Sequence, residues 1–211
     1  MLVTPPMTNI TGWTVVGDRG VDWMNSTEQT TTHGNKAIDL QGRNPPGQLS
    51  SMWTMFPTSL GAQYLLQFDS FAGNRQNQAL VSCGSLTNQR FSGPTSPGGT
   101  QSVFAQFTYA FTATSTNSTL LFTVASTDGY GPVVDNVYVG PPRLRISRAG
   151  TNSVRLNWPN VMTNYVLESV SVLAPGSGWS PVSNVVTVVG SELTTTNAVG
   201  SSPKFYRLKQ K

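Results

Sequence analysis

The 211 residues predict an all-β fold, a larger jelly-roll or sandwich followed by a smaller sandwich, and three observations carry that expectation. Short runs of alternating or apolar residues recur from one end to the other, with almost no helical periodicity. Between them stand turn clusters such as Asn44-Pro-Pro-Gly, Ser92-Gly-Pro-Thr-Ser-Pro-Gly-Gly and Asp128-Gly-Tyr-Gly-Pro. Only 10% of residues are charged, while nine Phe, six Tyr and five Trp are present. That balance excludes a disordered chain and suits sheets whose outer faces carry Ser and Thr.

In order, Trp13-Thr-Val-Val, Ala37-Ile-Asp-Leu, Tyr64-Leu-Leu-Gln-Phe and Ala79-Leu-Val-Ser-Cys read as strands. Val103 to Thr112, Thr119-Leu-Leu-Phe-Thr-Val and Asn136-Val-Tyr-Val follow. Phe107, Tyr109 and Phe111 alternate with Thr108 and Ala110, so the three rings share one face. Gly140-Pro-Pro marks a boundary, because two prolines stiffen a short linker in extended form. The expected domains are therefore residues 1–140 and 141–211. In the second, Arg143-Leu-Arg-Ile, Ser153-Val-Arg-Leu-Asn-Trp-Pro, Tyr165-Val-Leu-Glu-Ser, Trp179-Ser-Pro-Val, Val185-Val-Thr-Val-Val and Phe205-Tyr-Arg-Leu read as strands. Arg143 and Arg145 alternate with Leu144 and Ile146, which turns the arginines outward and the apolar pair inward.

Charge divides at the same boundary. Up to Gly140 there are five Lys/Arg against seven Asp/Glu, and from Pro141 on there are eight against two. The basic second half suits anionic surfaces such as acidic polysaccharide or lipid head groups, with a solvated face as the default. Nucleic-acid binding is not expected, since a dense basic patch interleaved with exposed aromatics is missing. No run of about 18 apolar residues is present, so no transmembrane helix is expected. The opening Met1-Leu-Val-Thr-Pro-Pro lacks the basic and apolar regions of a signal peptide. The composition nonetheless favours a secreted, extracellular or cell-surface protein whose signal peptide has been removed. Cys83 alone cannot form an internal disulfide, and its apolar run predicts a buried thiol.

A series of motifs in order carries a resemblance: Gly12-Trp-Thr-Val, Gly20-Val-Asp-Trp, Ala37-Ile-Asp-Leu-Gln-Gly, Leu60-Gly-Ala-Gln-Tyr-Leu-Leu-Gln-Phe, Ala72-Gly-Asn, Phe111-Thr-Ala-Thr and Gly131-Pro-Val-Val-Asp-Asn-Val-Tyr-Val. Over roughly Ile10 to Gly140 the chain resembles the galactose-binding-like jelly rolls of secreted bacterial proteins and of a plant cell-wall protein family. The resemblance implies carbohydrate binding, with a polysaccharide or cell-wall glycan as partner. Relatives begin with a strand ending in Asn-Gly-x-Phe-Glu, and the chain as given starts after it. This predicts an open sheet edge available for self-association. The acid of that strand helps hold a structural calcium in related modules, opposite the position of Asp135, so calcium is a possible cofactor. Val154-Arg-Leu-Asn-Trp-Pro, Tyr165-Val-Leu-Glu and Phe205-Tyr-Arg-Leu resemble a short fibronectin type III or immunoglobulin-like module of bacterial surface proteins.

Sugar C–H faces stack on exposed rings, and hydroxyls pair with Asn, Asp, Gln and Arg. Trp13, Trp158 and Trp179 fit core positions, whereas Trp23 and Trp53 are more open. In Ser51-Met-Trp-Thr-Met-Phe, Trp53 and Met55 share one face and Met52, Thr54 and Phe56 the other. A large apolar group thus stands outside whichever face is buried, as a sugar platform or a protein contact. Asn74, Arg75 and Gln76, with Asp128 and Tyr130, sit in loops beside strand ends, where ligands are gripped or where turns merely bond to themselves. Asp135-Asn136 can hold a metal or organise a turn.

Catalysis has little to work with. His33 is the single histidine, no Gly-x-Ser-x-Gly elbow is present, and a zinc site needs more His or Cys than one of each. A paired-carboxylate glycoside hydrolase would have to draw on Asp18, Asp22, Glu28, Asp39, Asp69, Asp128 or Asp135, of which Asp39 and Asp135 belong to the motifs that carry the resemblance. The expected function is a non-catalytic carbohydrate-binding or adhesion protein. The alternatives are a filament or adhesin subunit assembling by strand exchange and, with weaker support, a glycoside-acting hydrolase.

Overall fold

The computed structural model describes residues 2–3, 10–17, 20–42, 49–72, 77–95, 103–125 and 131–211. Every regular element in them is a strand. Two compact units result: Met1–Ala62 with Leu66–Val139, and Gln63–Leu65 with Gly140–Lys211.

The first unit contains β1 (Leu2–Val3), β2 (Thr14–Gly17), β3 (Val21–Asn25), β4 (Lys36–Asp39), β5 (Ser50–Pro57), β6 (Gln63–Phe71), β7 (Ala79–Cys83), β8 (Leu86–Phe91), β9 (Ala105–Thr112), β10 (Asn117–Val124) and β11 (Val133–Gly140). A six-stranded sheet runs β1-β3-β4-β11-β6-β9, and a five-stranded sheet runs β2-β5-β10-β7-β8. Apart from the β3–β4 and β7–β8 hairpins, neighbours in sequence land in different sheets, the crossing pattern of a jelly roll rather than a meander.

Aromatics fill the space between the sheets. Phe68 of β6 lies 4.8 Å from Phe91, 5.1 Å from Phe122 and 5.5 Å from Phe107, edge-on to the first two and stacked on the third. The alternation expected of β9 holds: Phe107 and Tyr109 both contact Phe68, and Phe111 is buried. Each such ring buried is worth about 1.5–3 kcal/mol. The β7–β8 hairpin closes over Gly84, whose φ is +53° and where a Cβ would lie 2.5 Å from the Thr112 carbonyl oxygen. Only glycine satisfies both conditions. Cys83 ends β7 and is buried, and burial pushes its thiol up to about 12.

The edge foreseen as open for want of a first strand carries the two-residue β1, with Leu2 opposite Asp22 and Val3 opposite Val21, and β1 is the last strand of its sheet. One expectation differs from what is found. Ile146, expected inward, is 55% exposed, because its strand lies at the rim of a thin sandwich with little above it to bury a side chain.

The second unit contains β12 (Arg145–Arg148), β13 (Ser153–Pro159), β14 (Tyr165–Val170), β15 (Ser180–Pro181), β16 (Thr187–Val189), β17 (Glu192–Ala198) and β18 (Phe205–Gln210). Its sheets run β12-β13-β17-β16 and β15-β14-β18. Leu156, Trp158, Met162 and Leu167 form its core. Outside that core, Glu168 accepts from Arg207 Nε at 2.8 Å and lies 3.6 Å from Lys209 Nζ. The Arg207 hydrogen bond holds its carboxyl below the ordinary value, and the Arg207 guanidinium lies 4.3 Å over the Trp179 ring.

Candidate functional site

The five strands β2, β5, β10, β7 and β8 contain no Asp or Glu, and Arg90 is their single charged residue. Register sets which side chains share the outer face, because direct cross-strand partners point the same way. Met52 of β5 pairs with Val15 and Phe122, all buried, so the next residue along must face out. Trp53 does so, half-buried, in a row formed by Thr14, Trp53, Leu121 and Ser82. Beside it runs a second row, Val16, Ser51, Thr123, Leu80 and Arg90. On the other flank Met55, 60% exposed, stands opposite Thr119.

An indole thus lies in a surface of hydroxyls. Ser51 Oγ and Thr123 Oγ1 are 3.1 Å apart in one hydrogen bond. Ser82 Oγ accepts from the Asn88 N–H at 2.8 Å, where Asn88 adopts φ +49°. Arg90 donates to Gln78 Oε1, which fixes the guanidinium along the sheet rim. The face offers a ring platform, an apolar flank from Met55 and Leu121, and neutral donors and acceptors around them. It can bind an uncharged polar ligand, and its strands bring no carboxylate pair among the described residues.

The six-stranded sheet is different in kind. It carries Asp22, Asp39, Asp69 and Asp135, and the described partners of the last three lie within the fold. Asp135 is buried, and its Oδ2 accepts from the Thr32 N–H at 2.6 Å, the Thr32 hydroxyl at 3.1 Å and the His33 N–H at 3.0 Å. Its Oδ1 accepts from the Asn136 N–H at 2.6 Å, and Asn136 Nδ2 donates to Asp69 Oδ2 at 3.1 Å. A calcium at Asp135, the cofactor implied by the resemblance, needs oxygen ligands around that carboxylate. The described neighbours aim N–H and O–H donors at it instead. Among the described residues no group of three or more His, Cys, Asp or Glu could hold a metal ion.

Asp39 Oδ1 accepts from the N–H groups of Gln41 and Gly42 at 3.0 and 3.2 Å. Burial pushes its pKa up to about 7; those backbone bonds oppose the shift, and Asp22 directly across the ladder adds to it. Trp23, paired with Ile38, carries Lys36 Nζ 5.1 Å over its ring. That cation already occupies one approach to the indole. Asn74, Arg75, Gln76, Asp128 and Tyr130 lie outside the described residues.

Of the described candidates, then, Trp53 stands on an open face, Trp23 lies under a lysine and Asp135 clamps a loop. None of the three adjoins another through a described contact. Ser51, Thr123, Leu121 and Arg90 complete the Trp53 face without having been singled out from sequence. Their signal was available in part: hydroxyl and apolar residues alternate through β10, Asn117-Ser-Thr-Leu-Leu-Phe-Thr-Val.

Residues 2–140 match a family model described as "Protein of unknown function (DUF642)". No curated protein sequence matches the chain. Among solved structures, the cleaved K1 adhesin domain of Lys-gingipain from Porphyromonas gingivalis W83 is similar at 15% identity and a TM-score of 0.48, covering 62% of this chain and 91% of that one. The CBM61 module solved with β-1,4-galactotriose is similar at 12% identity and a TM-score of 0.44, covering 66% and 97%. The CBM35 module of Paenibacillus barcinonensis is similar at 18% identity and a TM-score of 0.41, covering 62% and 93%.

Proposed function

The chain belongs to the DUF642 family, and from that premise we propose that its first unit is a non-catalytic carbohydrate-binding module of an extracellular or cell-surface protein. The ligand lies along the outer face of the five-stranded sheet. One observation carries this reading: Trp53 stands outward among hydroxyls on a sheet without a single acid. A pyranose laid on the indole would bury its C–H face there, and the apolar flank of Met55 and Leu121 widens the platform. Its equatorial hydroxyls would meet Ser51, Thr123 and Thr119, with Arg90 at the rim. The strands of the sheet supply hydroxyls and a ring and no carboxylate, which supports a ligand that is held and left intact.

An outward sheet face also suits a chain rather than a single sugar end, because the described strands set Trp53 in a row that continues on both sides, from Thr14 to Leu121 and Ser82. A polysaccharide of neutral units is accordingly the favoured ligand, and Arg90 would tolerate an occasional uronic acid. The second unit, with sheets of four and three strands, fits a fibronectin type III-like or immunoglobulin-like spacer that adds a basic surface.

A glycan array probed with the full chain tests this reading. Binding to one class of plant or microbial polysaccharide, competed by its soluble oligosaccharide, is the expected result. A protein that folds, melts cooperatively and binds no glycan on the array would overturn it.

A further inference from the structure

Strand β16 lies at one end of the four-stranded sheet, and among the described residues its one ladder partner is β17. Exposed edges of this kind are usually blunted by a lysine, a proline or a bulge. This one has none of these. From Val182 to Ser191 no residue is charged, and Val185, Val186, Val188 and Val189 are 81%, 43%, 64% and 62% exposed.

The outward backbone groups can be assigned. Val189 stands opposite Glu192, and the two-residue turn between them, opened by Gly190 at φ +60°, makes them the hydrogen-bonded closing pair. Alternation then turns the N–H and C=O of Thr187 and Val189 toward β17 and those of Val188 away from it. Val185 and Val186 precede β16, and the Val185 carbonyl accepts from Thr195 Oγ1 of β17 at 2.9 Å, so alternation turns Val186 outward in the same way. Two residues flanking Thr187 thus offer unpaired donors and acceptors to whatever comes alongside.

The segment Val185-Val186-Thr187-Val188-Val189 reads the same in both directions. Two such strands laid antiparallel about a two-fold axis at Thr187 put Val188 opposite Val186 and Val189 opposite Val185. Hydrogen bonding allows this register, since it brings the outward groups of Val188 onto those of Val186 in the other copy. Side-chain matching favours it, since it overlays all five residues of the palindrome. A two-fold contact sets like against like, so an uncharged strand avoids the repulsion that one charged residue would meet from its own image.

We infer that a second copy of this chain docks on this edge, with residues 185–189, β16 and the two residues before it, pairing antiparallel about Thr187 and joining two four-stranded sheets. This edge belongs to the second unit, and the sheet face that carries Trp53 belongs to the first. The valines expose roughly 350–400 Å² per copy, about half of the ~800 Å² that each partner buries in a standard stable interface. The dimer is accordingly weak, with a dissociation constant on the order of 100 μM.

Two measurements on the full chain test the pairing together. In sedimentation velocity from about 10 μM to about 1 mM, the weight-average mass rises toward a dimer in the wild type. In Val188→Lys, checked by circular dichroism to be folded, it stays that of a monomer. Under a glutathione redox buffer, Thr187→Cys forms a symmetric disulfide, because the two-fold axis sets that residue against itself at a non-hydrogen-bonded position. Val189→Cys, facing position 185 of the other copy, does not. The native thiol of Cys83 is buried and stays out of the exchange. A chain that remains monomeric at every concentration, a dimer that persists in Val188→Lys, or equal disulfide yields from the two cysteine variants would each overturn the proposal.

Discussion

The two sheets of the first unit treat polarity in opposite ways. The six-stranded sheet carries the acids Asp22, Asp39, Asp69 and Asp135, and turns Asp39 and Asp135 onto backbone N–H groups of its own loops. The five-stranded sheet carries no acid and sets an indole among hydroxyls on its outer face. A buried carboxylate is stable only where donors satisfy it, so acids end up as clamps for irregular chain. The outer face of the five-stranded sheet bonds its hydroxyls to one another and to the Asn88 N–H, with Arg90 as its single charge, and it is where the proposed ligand would lie.

Phe68→Ala attacks what the two sheets share. The ring contacts Phe91 and Phe122 of one sheet and Phe107 of its own, so its loss costs about 3–5 kcal/mol. Chemical denaturation should register that loss, together with lost glycan binding, since neither sheet keeps its curvature alone.

Asp39→Asn separates the sheets by pH. The folded pKa of Asp39 is raised from 3.8 to about 7, so the folded state holds its proton where the unfolded chain has lost it. The stability this confers is complete below about pH 4 and is lost as pH rises to about 7, at about 1.4 kcal/mol per pH unit. The Asn variant keeps an acceptor for Gln41 and Gly42 and has no such term. Wild type minus variant stability should therefore fall between pH 4 and pH 7 and level off above it. A difference that stays flat across this range would remove burial as the cause.

Asp135→Asn is the sharper test of the clamp. An amide turned toward the N–H groups of Thr32 and His33 leaves donors facing donors, at a cost of about 1–3 kcal/mol. Hydrogen exchange should speed up at Thr32 and His33 and stay unchanged across β10. Trp53→Ala, by contrast, removes a half-buried outward ring, and a loss of stability under about 1 kcal/mol is expected in the same denaturation experiment.

Much of the fold was legible because strands with a buried face announce themselves. Ala79–Cys83 and Ser153–Pro159 match the runs read from sequence residue for residue. Two of the strands that escaped notice are polar: Leu86-Thr-Asn-Gln-Arg-Phe at a sheet edge, and Glu192-Leu-Thr-Thr-Thr-Asn-Ala, whose threonines face both ways. Their pairing is set by neighbours, and propensity alone does not reveal it.

For the site, the Met52/Trp53 alternation showed that one large group must point outward. Which of the two does so is decided by Val15 and Phe122, which meet Met52 only once the strands are paired. The clamp at Asp135 was out of reach for another reason: its donors lie 102 and 103 residues earlier in the chain. No local pattern connects such residues. Ile146 misled because strict alternation presumes a layer above every strand, and β12 is exposed along its whole length.

The comparison of the two sheets rests finally on where the ligand binds. Isothermal titration with the best soluble oligosaccharide from the array measures this directly, using wild type, Trp53→Ala and Val137→Ser, the last on the opposite sheet. Affinity should fall at least tenfold, about 1.4 kcal/mol, in Trp53→Ala and remain at the wild-type value in Val137→Ser. Undiminished binding by a folded Trp53→Ala would contradict the account.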